Sequence, residues 1–222
     1  LNEYDKEDLE NLKDFVKGII KPVKPLPFHL VVELTVQCKI IPMSNSKEDG
    51  ELKEKLIIAG NGVLRATKQN FIVANRSNDV STSLGNIFFK ELEKVGLQPS
   101  KPLTKAGKGQ EAGYPDFQIR DNYDRLTYLE MKNSSPKNIY ESSPRNFFFK
   151  PSGNTKITHD ARHLIMGFIN EELKPKKWRI IGWKLVDLYK VKVNFKPEFN
   201  TDNPNIYSKE NIIAENIIGK LP

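Results

Sequence analysis

The chain has 222 residues, 38% hydrophobic and 28% charged, which is enough to bury one full core and ordinary for a soluble globular protein. A net charge of +7 favours a polyanionic partner without identifying it. No apolar run reaches the roughly 18–20 residues of a membrane span and no secretory leader is legible. One cysteine, Cys38, excludes an internal disulfide and suits a reducing, cytoplasmic setting, and with three histidines it argues against structural zinc.

Residues 3–20 set Leu9, Leu12, Phe15, Val16 and Ile19 at helical spacing, predicting an amphipathic helix ended by Pro22, Pro25 and Pro27. The β-branched and leucine-rich run 28–41, stopped by Pro42, predicts a strand or strand pair. After a polar loop at 44–50, residues 51–75 predict a short helix and then a strand at 71–74. The clearest helix is 81–95, with Ser81, Thr82 and Ser83 as N-cap oxygens and Gly96 as its stop. A loop rich in glycine and lysine covers 98–113. Strands at 115–120 and 125–132 form a hairpin through Asp121-Asn122-Tyr123-Asp124. A polar-aromatic loop at 133–157 leads to a predicted helix at 159–172, and strands follow at 178–188 and 189–193. The tail from 196 predicts a short helix at 208–218. This order implies a single α/β (α+β) domain whose mixed sheet is flanked by helices. Its parts are a preceding region at 1–80, a core at 81–195 and a tail at 196–222.

Within the hairpin, Pro115-Asp116 opens one strand and Glu130-Met131-Lys132 closes the next. Alternation along a strand puts Glu130 and Lys132 on one side and Leu129 and Met131 on the other. Phe117 and Ile119 turn to the core, leaving Asp116 and Gln118 opposite. Two carboxylates and an ammonium on paired strands suit the hydrolysis of a phosphodiester by a metal-activated water. As a solvated charged face the same residues would carry no chemistry. On the 81–95 helix, Leu84, Ile87, Phe88 and Val95 share an apolar arc at about 100° per residue. Glu91 falls near the middle of that arc, and Glu93 points outward. An acid so placed needs compensation, from a metal-bound water or from a basic partner.

Pro115-Asp116, Glu130-Met131-Lys132 and the upstream helix carrying Glu91 resemble the PD-(D/E)xK nuclease superfamily, in particular type II restriction endonucleases. The resemblance spans about residues 81–195 and implies a restriction-endonuclease-like fold. It implies that Asp116 and Glu130 bind Mg²⁺, that Met131 adds its backbone carbonyl, that Lys132 positions the attacking water, and that Glu91 is an auxiliary acid. The implied substrate is double-stranded DNA cut at a specific short site, and two-fold reading of such a site implies a homodimer. A repair or recombination nuclease of the same superfamily, and a non-catalytic nucleic-acid-binding protein, are the alternatives.

Several groups could hold DNA. Lys101, Lys105 and Lys108 lie in the glycine-rich loop before Asp116, either as phosphate contacts or as an ordinary solvated loop. Residues 137–158 interleave Lys137, Arg145, Lys150 and Lys156 with Tyr140 and Phe147-Phe148-Phe149, the three Phe being assigned mainly to packing. His159, Arg162 and His163 cluster at the start of the predicted 159–172 helix, where a phosphate is favoured and zinc lacks a third ligand. Met43 could wedge between base steps, although packing is its ordinary fate. Trp178 and Trp183 read as core.

Overall fold

The computed structural model describes residues 6–21, 24–110, 113–138, 147–198, 200–206 and 208–214. Two units are distinguished, one of residues 26–193 and one of residues 1–25 with 194–222. The smaller contains the helices α1 (Lys6–Ile20) and α5 (Asn203–Ile206). Residues 208–214, expected to begin a helix, form turns instead, and the rest of that predicted helix lies outside the described residues.

The larger unit is built on a six-stranded sheet in the order β2 (Ile72–Val73), β7 (Lys177–Asp187), β6 (Arg162–Lys174), β5 (Leu126–Ser134), β4 (Phe117–Arg120), β3 (Gln98–Ser100). β5 and β6 run parallel and the other pairs antiparallel, so the sheet is mixed as expected. A separate two-stranded ladder joins β1 (Leu26–Pro27) to β8 (Lys192–Val193). On one face, α3 (Lys47–Gln69) and α4 (Val80–Lys94) bury Leu52, Leu56, Val63, Leu84, Phe88 and Leu92 against Phe117, Leu129, Leu164 and Phe168. On the other, α2 (Phe28–Val36) packs Phe28 and Val32 with Tyr114, Tyr128 and Ile157. The fold is thus α+β, with helices on both faces of the sheet.

Two elements change type from the expected one in the larger unit. Residues 28–36 are helix, because Phe28, Val32 and Val36 recur at four-residue spacing on the buried side. The period was hidden by apolar residues on the outer side, where Leu34 is 81% exposed. Residues 162–174 are strand. β6 lies between β5 and β7, with Leu164, Met166 and Phe168 buried on one face and Ile165 and Ile169 half-buried on the other, so it reads as continuous apolar sequence that also fits a helical arc.

α3 is far longer than its sequence suggests. Ser46 caps it, its hydroxyl accepting from the Asp49 amide at 3.2 Å. The interior glycines follow from close approach. A Cβ on Gly60 would sit 3.0 Å from the Trp183 ring, and one on Gly62 would overlap the Glu91 carboxylate. Residues 188–190 form a 3-10 turn, leaving only 192–193 as the last strand.

Candidate active site

The hairpin register pairs Phe117 with Leu129 and Ile119 with Thr127, so one further step sets Asp116 opposite Glu130. Phe117, Leu129 and Met131 face α4, which packs Gly85 against Met131 and Phe117. Alternation sends Asp116, Glu130 and Lys132 to the α2 face. There Asp116 Oδ2 accepts from the Met131 amide at 2.9 Å. Lys132 Nζ donates to Glu130 Oε1 at 2.6 Å. The two acids and the ammonium therefore occupy one patch of the sheet.

Beneath them is an aromatic floor. Phe28 meets Tyr114, Phe147 and Phe149 edge to face, and Phe147 lies 5.9 Å from Lys132 Nζ. Tyr114 Oη and His163 Nδ1 are 2.7 Å apart and both residues are buried. Burial holds the His163 imidazole down at about 3, so it is neutral there. Burial also raises the Tyr114 hydroxyl well above its ordinary range, and the nearby charge of Glu130 adds to this.

Glu130 is the strained member. It is 5% exposed, and burial raises its carboxyl above the glutamate range, with the charge of Asp116 adding and Lys132 opposing. Its Oε2 is buried without a hydrogen-bond partner among the described residues. An orphaned carboxylate oxygen next to a second carboxylate is the environment a hard divalent cation would relieve. Among the described residues no cluster of three or more His, Cys, Asp or Glu side chains could hold a metal.

The remaining sequence-predicted residues separate. Glu91 is buried as its arc required, but its carboxylate lies against Gly62 of α3 and pairs with Lys94. None of its described contacts joins it to Asp116 or Glu130, so the auxiliary-acid expectation is corrected to a helix–helix contact. Lys156 is only 5% exposed, with Nζ donating to the carbonyls of Gly113 at 2.7 Å and Pro115 at 3.2 Å, so it faces backbone rather than a DNA surface. Arg162 begins β6 and pairs with the buried Asp49 at 2.7 Å, which takes it out of the surface basic set. His159 is exposed on a loop rather than at a helix start, its Nδ1 2.8 Å from Thr158 Oγ1.

Lys101, Lys105, Lys108 and Lys150 are exposed. Lys101 Nζ sits 4.5 Å over the Phe117 ring, hence toward the α4 face. Lys105 and Lys108 belong to a tight turn in which Thr104 N donates to Lys108 O at 3.0 Å and Gly107 N to Thr104 O at 2.8 Å. Arg145 and Tyr140 lie outside the described residues. Phe147 and Phe149 point inward while Phe148 is 62% exposed.

Sequence reasoning did not find the Tyr114–His163 pair or the ion cluster around Asp49. That carboxylate accepts from Ser44 N at 2.8 Å, Ser44 Oγ at 2.7 Å and Arg125 Nη1 at 2.8 Å, besides its pairing with Arg162. Burial alone would raise its carboxyl, but the bonds from Ser44, Arg162 and Arg125 outweigh this and hold it down at about 2. His163 lies 49 residues from Tyr114 and Arg125 lies 76 from Asp49, so although Ser44 is near Asp49 in the chain, no local pattern signals the buried pair or the cluster.

A mixed sheet bearing paired acids and a lysine on adjacent strands has the make-up of a nuclease. The chain belongs to the type II restriction enzyme MjaV family, whose sequence pattern matches residues 22–210. It is similar to the type II restriction enzyme MjaV of Methanocaldococcus jannaschii, with 33% identity over 227 residues, 95% of this chain and 97% of the relative. No solved structure matches the chain significantly.

Proposed function

We propose that this chain is a Mg²⁺-dependent type II restriction endonuclease of the PD-(D/E)xK kind that hydrolyses double-stranded DNA at a specific short site. Membership in a family of type II restriction enzymes supports the activity. The observation that carries the active-site assignment is the buried Oε2 of Glu130, without a hydrogen-bond partner among the described residues, beside Asp116 and with the Lys132 ammonium on the same carboxylate.

In this reading Asp116 and Glu130 hold the ion, with the Met131 carbonyl as a further ligand. When bound, Mg²⁺ polarises the scissile phosphate and favours ionisation of a water. The protein's own groups do the rest. The Met131 amide holds Asp116 Oδ2 and so orients the carboxylate. Lys132 Nζ rests on Glu130 Oε1 at 2.6 Å, within the patch where the attacking water would lie. There it would hold that water and donate to the phosphoryl oxygens as they gain charge. The aromatic floor of Phe28, Tyr114 and Phe147 keeps solvent from the buried side of the acids. The leaving 3′ oxygen departs opposite the attack, giving a 5′-phosphate and a 3′-hydroxyl.

Exposed Lys105, Lys108, Lys150 and His159 are assigned to the DNA backbone, a role their charge and exposure support. A homodimer, a cytoplasmic location, and the division into a reading region before residue 81 and a catalytic region at 81–195 belong to the same proposal. Among the described residues no helix is long and apolar enough to cross a membrane.

The test is digestion of a DNA of known sequence with Mg²⁺ or with EDTA, followed by mapping of the ends. Discrete fragments with 5′-phosphates, seen only with the metal, are expected. Absence of cutting, or random cutting by the wild-type chain, would remove the proposal.

A further inference from the structure

Lys156 is a charged side chain buried to 5% exposure, and its surroundings are specific. Its Nζ donates to the carbonyls of Gly113 and Pro115, one on each side of Tyr114 and the second immediately before Asp116. Gly113 has a φ of +87°, so this stretch is no regular strand that the sheet ladder would hold by itself. The segment carrying Lys156 is tied along its length. Asn154 Oδ1 accepts from the Ala106 amide at 3.1 Å, and the Thr155 carbonyl from the Lys105 amide at 3.0 Å. On the other side, Thr158 N donates to Tyr128 Oη at 2.9 Å. Tyr128 is two residues before Glu130 on the same strand. One strut thus reaches the backbone before Asp116 and the strand that carries Glu130.

A buried ammonium is costly unless it is held by acceptors, and neutral packing would fill the same space at less cost. Its presence at the carbonyl preceding Asp116 points to a need for exact placement of that backbone. We infer that Lys156 is a positioning residue that sets Asp116 in register with Glu130 for metal binding, through its hydrogen bonds to the Gly113 and Pro115 carbonyls. It is not a phosphate contact. The inference rests on the assignment of Asp116 and Glu130 as metal ligands.

The experiment compares the full chain with Lys156→Met and Lys156→Arg. For each, three quantities are measured: cleavage rate against Mg²⁺ concentration, affinity in EDTA for a duplex containing the mapped cut site, and thermal melting. In Lys156→Met the half-saturating Mg²⁺ concentration rises about 10-fold, the scale of losing a group that orients a ligand. Its rate at saturating Mg²⁺ falls by about 10- to 100-fold. Affinity in EDTA changes by less than about twofold, because no phosphate contact is lost. Lys156→Arg keeps the charge and a donor and recovers part of the metal response; it is the variant to read if Lys156→Met does not fold. A wild-type Mg²⁺ requirement in the folded variant overturns the inference. So does a large loss of affinity in EDTA with the Mg²⁺ requirement unchanged, which would make Lys156 a DNA contact. If the wild-type chain itself shows no Mg²⁺-dependent cutting, the active-site assignment fails first.

Discussion

Glu130 receives the Lys132 ammonium at 2.6 Å through one carboxylate oxygen and keeps the other buried with no hydrogen-bond partner among the described residues. This asymmetry separates a site from a surface ion pair. Exposed pairs contribute little and leave no atom unsatisfied, whereas here a buried oxygen is held ready beside a second acid.

Asp116→Ala and Lys132→Ala should each lower the cleavage rate by about 10³-fold or more. Affinity for the duplex in EDTA should stay within a few-fold. Gel-based cleavage rates and fluorescence anisotropy read the two quantities. Wild-type activity in either variant would remove it from the site.

Mg²⁺ should stabilise the folded chain by relieving the repulsion between Asp116 and Glu130. At about ten times its dissociation constant the linkage is about 1.4 kcal/mol. For a chain of this size that is a rise in Tm of about 3–6 °C. Asp116→Ala and Glu130→Ala should melt at the same temperature with and without the metal. A Tm shift that persists in both would place the ion elsewhere.

Asp49 should prove a stability residue with no part in cleavage. Asp49→Ala leaves Arg125 and Arg162 without their shared carboxylate, and breaking such a buried group costs about 3–5 kcal/mol. The sign of the pH effect follows from the depressed carboxyl. Its folded value, about 2, lies below the unfolded value of about 3.9. The unfolded state therefore binds the proton more readily, and the Asp49 contribution is fully present above about pH 4. It is lost as pH falls toward 2. Denaturant titrations across that range should show a shallower acid slope in Asp49→Ala than in the wild type.

The placement of Glu91 makes a fourth prediction. Gly62→Ala should destabilise by about 1–3 kcal/mol, because the added methyl meets the Glu91 carboxylate. Shortening that acid in Gly62→Ala/Glu91→Ala should recover part of the loss, a coupling that a double-mutant cycle measures. Glu91→Gln should leave the cleavage rate within a few-fold of wild type. A loss comparable with that of Asp116→Ala would return Glu91 to the active site.

What was legible in the sequence followed from local rules. The 81–95 helix was readable from its apolar arc and from Gly96, although Ser81, Thr82 and Ser83, expected as its caps, lie inside α4, which starts at Val80 with no side-chain cap bond. The Asp116–Glu130–Lys132 geometry was readable because a hairpin with a short turn has its register set by nearby residues. Elements buried on unusual sides were not. The outward Leu30 and Leu34 masked the period of α2, and β6 carries apolar residues on both faces because it lies inside the sheet.

The buried position of Glu91 was legible from its arc, but its partner was not, since Gly62 and Lys94 could be chosen only once α3 had packed on α4. Lys156 and Arg162 looked like surface cations for the same reason. The sequence by itself determined the chemistry available, two acids and a lysine on paired strands, because alternation and short-range register act within a few residues. Only the tertiary structure decided which charges stay exposed and which are spent on Gly113, Pro115 and Asp49, because burial depends on chain segments brought together from far apart.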